Sequence, residues 1–392
     1  MPQYDVVIVG GAVTGSSAAY HLAANPDFSG KVLVLEKDPS YRKCASALSA
    51  ASIRQQFSTA VNIKISLYGL EFIRNIGDLL EVDGDRPDIG FHEDGYLFLA
   101  TDAGRDTLAE NHKLQVELGA DIAFLEPETL STAFPWLSVD DLSAGCYGRS
   151  GEGWFDGYGM MQAFRRKARS LGVEYRPARA AAVEVTNGKA VGVRLEDGEL
   201  ISAGTVINAS GADGRKLAAT AGIDIPIEVK KRMIFTFKAE DRIERCPLLI
   251  DPNGTYVRGD SDGFICGWAP SAEDDPEVED DFDVDWNLFE DHIWPTIATR
   301  VPAFERIKPG AAWAGYYDMC AHDDNVLLGA MPELPNFLLA NGFSGHGLQQ
   351  APAVGRGLGE LVVYGGYRSL DLSELSPTRV RDGRQVREKN IV

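Results

Sequence analysis

The chain opens on a strand that runs straight into a glycine turn, and that junction constrains the fold more than anything after it. Tyr4–Val9 (YDVVIV) is a short β-branched run, the composition of a buried parallel strand. Residues 10–15 (GGAVTG) form the turn, and residues 16–24 (SSAAYHLAA) predict a helix small enough to lie close on a sheet. Residues 31–35 (KVLVL) predict the second strand, with Glu36 at its end. Two parallel strands need such a crossover helix, so the start reads as one βαβ unit.

The chemistry of the turn follows from its residues. Glycine allows a tight bend and close approach of backbone to a pyrophosphate, and a helix N-terminus adds free N–H groups and a positive dipole end. The three motif positions are Gly10, Ala12 and Gly15, so a methyl stands where the second glycine would be. Gly11, Val13 and Thr14 complete the candidate cradle. Glu36 can accept hydrogen bonds from a ribose 2′-hydroxyl and repels a 2′-phosphate by its charge; Lys37 flanks it. The unit alone admits either NAD or FAD. Further βαβ repeats would be expected of an NAD dehydrogenase. Instead the chain runs into residues 45–57 (ASALSAASIRQQF), and returns to a nucleotide-type strand only at residues 206–214 (VINASGADG).

Composition narrows the class. The 392 residues are 44% hydrophobic, enough for one large or two intertwined domains. The formal charge of −20 makes nucleic acid and anionic membrane surfaces poor partners. Five scattered cysteines without a CxxC pair argue against a disulfide framework or a zinc cluster. No signal peptide or membrane-spanning run is evident, so a cytoplasmic setting is expected.

Further elements are legible. Residues 62–80 have helical periodicity, with Ile63, Leu67, Leu70, Ile73 and Ile76 on one face. Residues 160–171 predict an amphipathic helix whose basic residues (Arg165, Arg166, Lys167, Arg169) read as a solvated face rather than an anion site. Residues 180–206 predict a β-meander, with hairpin signals at Asn187-Gly188 and Asp197-Gly198. The acidic run 273–285 (EDDPEVEDDFDVD) lacks the glycine-spaced ligands of a calcium loop and reads as a solvated loop. Residues 336–364 predict strand, glycine-rich turn and helix.

That last segment, NFLLANGFSGHGLQQAPAVGRGLGELV at 336–362, resembles the closing segment of the D-amino-acid-oxidase-like FAD-dependent oxidoreductases. The likeness is to their sarcosine oxidase and dimethylglycine dehydrogenase branch. It extends through ASALSAASIRQQF, GWFDGYGMMQAF at 153–164 and VINASGA at 206–212. The resemblance implies an α/β (α+β) fold, with an FAD-binding Rossmann-like domain (1–84, 149–226, 315–392) interleaved with an antiparallel-sheet substrate domain (85–148, 227–314). It implies FAD held by Gly10–Gly15, Glu36, Lys37, Ser46, Ala47, Leu48, Ser49, Ala51, Ser52, Arg54, Val183, Ser210 and Gly211. At the closing end it adds Gly342, Phe343, Ser344, Gly345, His346, Gly347, Leu348 and Gln349. Backbone N–H groups of this loop would face the flavin's pyrimidine edge and stabilise the charge of the reduced ring. Arg54 aligns with an arginine lying along one flavin face, and Val183 with a position whose backbone holds adenine. His346 either donates near the flavin or caps a turn.

Departures from the family shape the rest. Gly315 stands at the cysteine that links FAD in monomeric sarcosine oxidases, and Ser49 at the linking histidine of dimethylglycine dehydrogenases, so non-covalent FAD is expected. Ile265 replaces a lysine that promotes reaction with oxygen. Phe57 and Gln349 replace the two basic residues that grip a substrate carboxylate. Arg258 is the substitute candidate, with Tyr256 and Tyr317 as hydrogen-bonding walls. The expected activity is oxidation of a secondary or tertiary amine or an amino acid by hydride transfer to the flavin, giving an imine that hydrolyses. No general base or metal is assigned. The electron acceptor stays open among oxygen, a quinone and an electron-transfer protein. Two alternatives stand: a D-amino-acid or 2-hydroxy-acid dehydrogenase on the same fold, and a non-catalytic flavin-bound assembly protein.

Overall fold

In the computed structural model, which describes residues 3–241 and 243–389, two eight-stranded sheets share the chain between them. In the first sheet Tyr4–Val9 lies between Val32–Glu36 and Leu200–Asn208, parallel to both. Phe337–Asn341 continues the parallel order beyond Leu200–Asn208, and Leu327–Ala330 closes that edge antiparallel. Glu174–Pro177 adds a parallel strand at the other edge. Val6 and Ile8 face one core and Val7 and Val9 the other, as a strand covered on both sides requires.

Four helices pack one face of this sheet: Val13–Ala23, Ala60–Arg74, Gly157–Ser170 and Gly347–Tyr364. The first and last approach closely, because a Cβ on Gly355 would stand 2.2 Å from Ser17 Oγ. The expected meander branches from Leu200–Asn208 and lays Ala180–Thr186 and Lys189–Leu195 over the opposite face. Asn187 and Gly188 both have positive φ, the conformation a two-residue hairpin turn demands.

The second sheet is mostly antiparallel. Its order is Ile307–Cys320, Ile227–Ala239, Gly263–Trp268, Thr255–Asp260, Leu248–Ile250, Tyr96–Ala100, Ala144–Gly148, Ile122–Leu125. The chain enters it, leaves for the first sheet and returns, which is the interleaving the resemblance implies. Strand Ile307–Cys320 runs across the expected division at 314/315.

Three sequence expectations change. The helix expected over 62–80 ends at Arg74 and resumes only as the short Ile76–Leu79; Asn75 between them leaves helical geometry (φ −108°, ψ 10°), and its side chain donates to the Glu71 carbonyl at 2.8 Å. The basic face of Gly157–Ser170 is less solvated than expected: Arg166 pairs with Asp85, Lys167 reaches the Glu81 carbonyl, and Arg165 lies over the Tyr41 and Tyr175 rings. The acidic run is a surface strap rather than a freely solvated loop: Asp275, Glu277, Glu279 and Asp281 pair with Arg232, Arg215, Lys216 and Lys231.

Candidate functional site

The opening turn is built so that two of its glycines are obligatory. Gly10 has φ +99°, and a Cβ there would stand 2.2 Å from the Ala209 carbonyl oxygen. A Cβ on Gly15 would stand 1.9 Å from the Gly10 carbonyl oxygen. Ala12 has an ordinary φ of −71° and is only part-buried, so its methyl meets no such obstacle. Glu36 ties the turn to the second strand: its carboxylate accepts from the Gly11 N–H and the Asp38 N–H, each at 2.8 Å. Ser46, on the short helix Ala45–Leu48 that also carries Ala47, accepts from the Val13 N–H at 3.3 Å. Ser210 and Gly211 follow Ala209 and so lie beside Gly10, with the Ser210 hydroxyl anchored on Asn208 at 2.6 Å. Lys37 reaches Asp213 at 2.6 Å. Val183 is buried in the meander, and its N–H donates to Thr220 Oγ1 at 3.0 Å; that donor is engaged within the protein.

The closing turn joins Phe337–Asn341 to the helix Gly347–Tyr364. Gly342, Ser344 and Gly345 all have positive φ. A Cβ on Gly342 would meet Ile227 Cδ1 at 2.4 Å, and one on Gly345 would meet Tyr317 Cε2 at 2.4 Å. Asp318 holds the turn in place: its carboxylate accepts from the Gly342 N–H at 2.7 Å, and its carbonyl from the Ser344 N–H at 3.0 Å. Burial pushes the Asp318 carboxyl up to about 6 against the pull of the Gly342, Asp318 and Phe343 N–H groups. His346 precedes the helix, whose first-turn N–H groups have no intrahelical acceptor.

Between this turn and the second sheet lies a pocket of about 60 Å³. Ser49, Ala51, Ser52, Arg54, Gly345, His346, Leu348 and Gln349 line it from the first sheet's side, and Tyr96, Leu248, Tyr256 and Tyr317 from the second. Arg54 is 2% exposed. Its guanidinium donates to the Gln56 carbonyl at 2.7 Å and lies 4.3 Å from the Phe57 ring centroid. It also contacts His346 Nε2 at 3.0 Å. A guanidinium only donates, so Nε2 must accept, and the imidazole is neutral with its proton on Nδ1. Burial, and then the Arg54 charge, hold the His346 pKa well below its usual value, which agrees. Nδ1 is buried and has no hydrogen-bond partner among the described residues. Burial pushes the Tyr96 phenol up to about 12 and raises those of Tyr256 and Tyr317, so all three are neutral donors. Among the described residues no aspartate, glutamate or lysine lines the pocket.

The structure gathers most of the expected residues but not Arg258 in the expected way. Arg258 is 4% exposed and stands behind Ala50 rather than on the pocket wall. Its fork is occupied by the Ala50 and Gly259 carbonyls and by Asp260, and it lies over the Trp154 ring at 4.6 Å. Phe57, at one of the two lost carboxylate-gripping positions, is fully buried beneath Arg54. Gln349, at the other, uses its side-chain oxygen to accept from the Arg54 N–H at 3.0 Å. Gly315 is apposed to Leu48, with 3.0 Å between its would-be Cβ and the leucine Cβ. Cys320 is buried behind the closing turn, its thiol against Asp323.

Sequence reasoning missed Tyr96, Asp318 and Glu152. Glu152 is fully buried and accepts from the Gln55 N–H, the Gln56 N–H and the Gln56 side-chain amide, which fixes the segment carrying Arg54. Desolvation pushes its carboxyl up to about 7. An acidic residue between two glycines (Gly151, Gly153) before an aromatic pair was the available signal.

The arrangement fits a flavin dinucleotide. The opening turn offers a cradle in which glycine is required, and the pocket carries a buried N–H on His346, without a partner among the described residues, beside a helix N-terminus. The family model described as FAD dependent oxidoreductase matches residues 5–361. The "FAD-dependent oxidoreductase domain-containing protein 1" of Xenopus laevis is 39% identical over 99% of this chain and 85% of its own length. Mitochondrial dimethylglycine dehydrogenase of Rattus norvegicus is 27% identical over 96% of this chain, which spans 44% of that protein. Among solved structures, L-proline dehydrogenase from P. horikoshii superposes with a TM-score of 0.87 at 25% identity, covering 98% of this chain and 100% of the other.

Proposed function

Because the chain belongs to the FAD-dependent oxidoreductase family, we propose that it oxidises the carbon–nitrogen bond of a secondary or tertiary amine or an amino acid. The observation that carries this reading is the character of the pocket wall: three neutral phenols, a neutral imidazole and one buried guanidinium, with no carboxylate or lysine among the described lining residues. Such a wall binds and orients a neutral amine but offers no strong base. A neutral amine needs none to lose a hydride from its α-carbon. The N-methylated and cyclic amines in the names of the dimethylglycine and proline dehydrogenases are of that class.

FAD would supply the hydride acceptor. Gly10–Gly15 and Glu36 would hold its nucleotide end, and the turn 342–347 its ring. The chain's own contribution is then orientation and charge. Tyr96, Tyr256 and Tyr317 present hydroxyls to the substrate. Arg54 and the first-turn N–H groups of Gly347–Tyr364 favour negative charge nearby. The imine formed from the substrate would hydrolyse to a carbonyl compound and a smaller amine. Arg258 acts by holding the Ala50 carbonyl rather than by touching a carboxylate, so a substrate carboxylate would have to meet Arg54, the cation on the pocket wall.

Anaerobic bleaching of the flavin band against N-methyl amino acids, cyclic imino acids, D-amino acids and 2-hydroxy acids tests the reading. Bleaching by the first two sets supports it. Bleaching only by the last two selects the alternative dehydrogenase, and bleaching by none selects a flavin-bound assembly role. The cofactor is held without a covalent bond in this proposal, since no cysteine lines the pocket among the described residues and Ser49 and Gly315 occupy the linking positions. Acid precipitation is expected to leave the yellow colour in the supernatant; a yellow pellet contradicts it.

A further inference from the structure

The acidic strap 273–285 has no part in the site as described, yet one of its side chains reaches toward it. Strand Ile227–Ala239 carries Lys230, Lys231 and Arg232 in succession, and the strap lies across it. The Val278 N–H donates to the Val229 carbonyl at 2.9 Å, and Lys230 Nζ to the Asp275 carbonyl at 2.6 Å. Lys231 pairs with Asp281, and Phe282 packs on Tyr316 with ring centroids 4.3 Å apart. The deepest contact is Arg232 with Asp275: two parallel bonds of 2.7 Å, each side chain only 10% exposed. Paired forks of this kind fix orientation as well as charge.

Arg232 in turn lies over the Tyr317 ring, its guanidinium carbon 5.2 Å from the centroid. The same ring is pressed at Cε2 against the Gly345 backbone. Tyr317 is a pocket wall. Its hydroxyl and that of Tyr256 both feel the Arg232 charge. A line of contacts therefore runs from the strap through Asp275, Arg232 and Tyr317 to the pocket.

We propose that Arg232 and Asp275 are a positioning pair for Tyr317, through which the acidic strap sets the geometry of the pocket. Asp275 fixes the guanidinium, the guanidinium fixes the ring over its face, and Gly345 limits the ring at its edge. Glu277, Glu279 and Asp281 pair with Arg215, Lys216 and Lys231 without lining the pocket. Only the kinetic arm of the test rests on the amine-oxidising reading.

The test uses the full-length holoprotein with 3-fluorotyrosine placed at position 317, read by fluorine NMR. The unsubstituted strap and Glu279→Gln are expected to give one narrow line at the same position. Asp275→Asn is expected to shift or split it. Arg232→Lys, which keeps a cation but cannot form two parallel bonds, is expected to give an intermediate result. For any amine that bleaches the flavin, Asp275→Asn is expected to raise KM about 10-fold with a smaller change in kcat, the pattern of lost binding geometry. An unchanged line in a folded Asp275→Asn protein overturns the proposal. Should that variant not fold, an unchanged line in Arg232→Lys overturns it equally. If no amine bleaches the flavin, the functional reading fails while the fluorine comparison still decides this one.

Discussion

Glu152 is a carboxylic acid with no access to water, and its protonation couples stability to pH. Desolvation raises its pKa from 4.5 to about 7, while the Gln56 amide, the Gln55 and Gln56 N–H groups and the Arg54 charge pull the other way. The folded state therefore binds this proton more tightly than the unfolded chain. The stability it confers is full below about pH 4.5 and is lost as pH rises to about 7. The gap corresponds to roughly 3 kcal/mol. Glu152→Gln removes that dependence, so the variant is expected to gain relative to the parent as pH rises from 4.5 to 8. Melting curves across this range check it, and parallel curves refute it. Asp318 adds a slope of the same sign, so the difference between the two proteins is the informative quantity. Glu36 anchors two backbone donors on a single carboxylate. Its two backbone N–H partners lose their acceptor in Glu36→Ala, and such charge-assisted bonds contribute about 1.5–3 kcal/mol each. The variant is expected to purify with little flavin, read from the ratio of visible to ultraviolet absorbance; full flavin content would contradict its role.

The closing turn shows how an element can be legible in sequence while its surroundings are not. Its glycines announce themselves because the turn needs positive φ, and Gly345 also lacks room for a side chain. Gly345→Ala places a methyl 2.4 Å from Tyr317 Cε2 at φ +89°. The left-handed conformation alone costs roughly 1–2 kcal/mol, and displacing the tyrosine adds to it. A lowered melting temperature and a raised amine KM are expected. Gly366→Ala is the control, since nothing lies within 4 Å of a Cβ there and its φ is ordinary. If both variants melt and react alike, the turn is not as tightly seated as the contacts imply. The opening βαβ unit was readable for the same reason, through a strand apolar on both faces and a turn where Gly10 and Gly15 have no substitute. The break at Asn75 was not readable, because a single residue leaving helical geometry keeps the apolar spacing intact. Arg258 misled because residue type and position gave its charge but not the carbonyls of Ala50 and Gly259 that occupy its fork. Glu152 was passed over for the converse reason, despite its place between two glycines. A lone acid in a glycine-rich stretch looks like surface until the Gln55–Gln56 backbone is folded onto it.

At the scale of the molecule, the interleaved chain brings a turn from the parallel sheet against three tyrosines from the antiparallel one. The pocket's electrostatics are therefore decided by which face of the second sheet each residue takes. On strand Gly263–Trp268, Phe264 and Cys266 enter the core away from the pocket. Alternation then turns Ile265 toward the other face, where it sits opposite Arg258 in the antiparallel register. Ile265 is 3% exposed and brings no charge, and the Arg258 charge beside it is taken by Asp260. A one-electron transfer from reduced flavin to oxygen builds negative charge on the oxygen, and a nearby fixed cation lowers that barrier. The cation available on the pocket wall is Arg54, which lies on the first sheet's side and already donates to Gln56 and His346. We therefore expect the reduced protein to react slowly with oxygen and to pass its electrons to another acceptor. Ile265→Lys, which sets an ammonium on the opposite face of the pocket region, is expected to speed reoxidation about 10-fold or more. Stopped-flow mixing of the photoreduced protein with air-saturated buffer measures both. Oxidase-like rates in the parent would mean that Arg54 alone suffices, and no acceleration in the variant would mean that Ile265 faces away from the flavin.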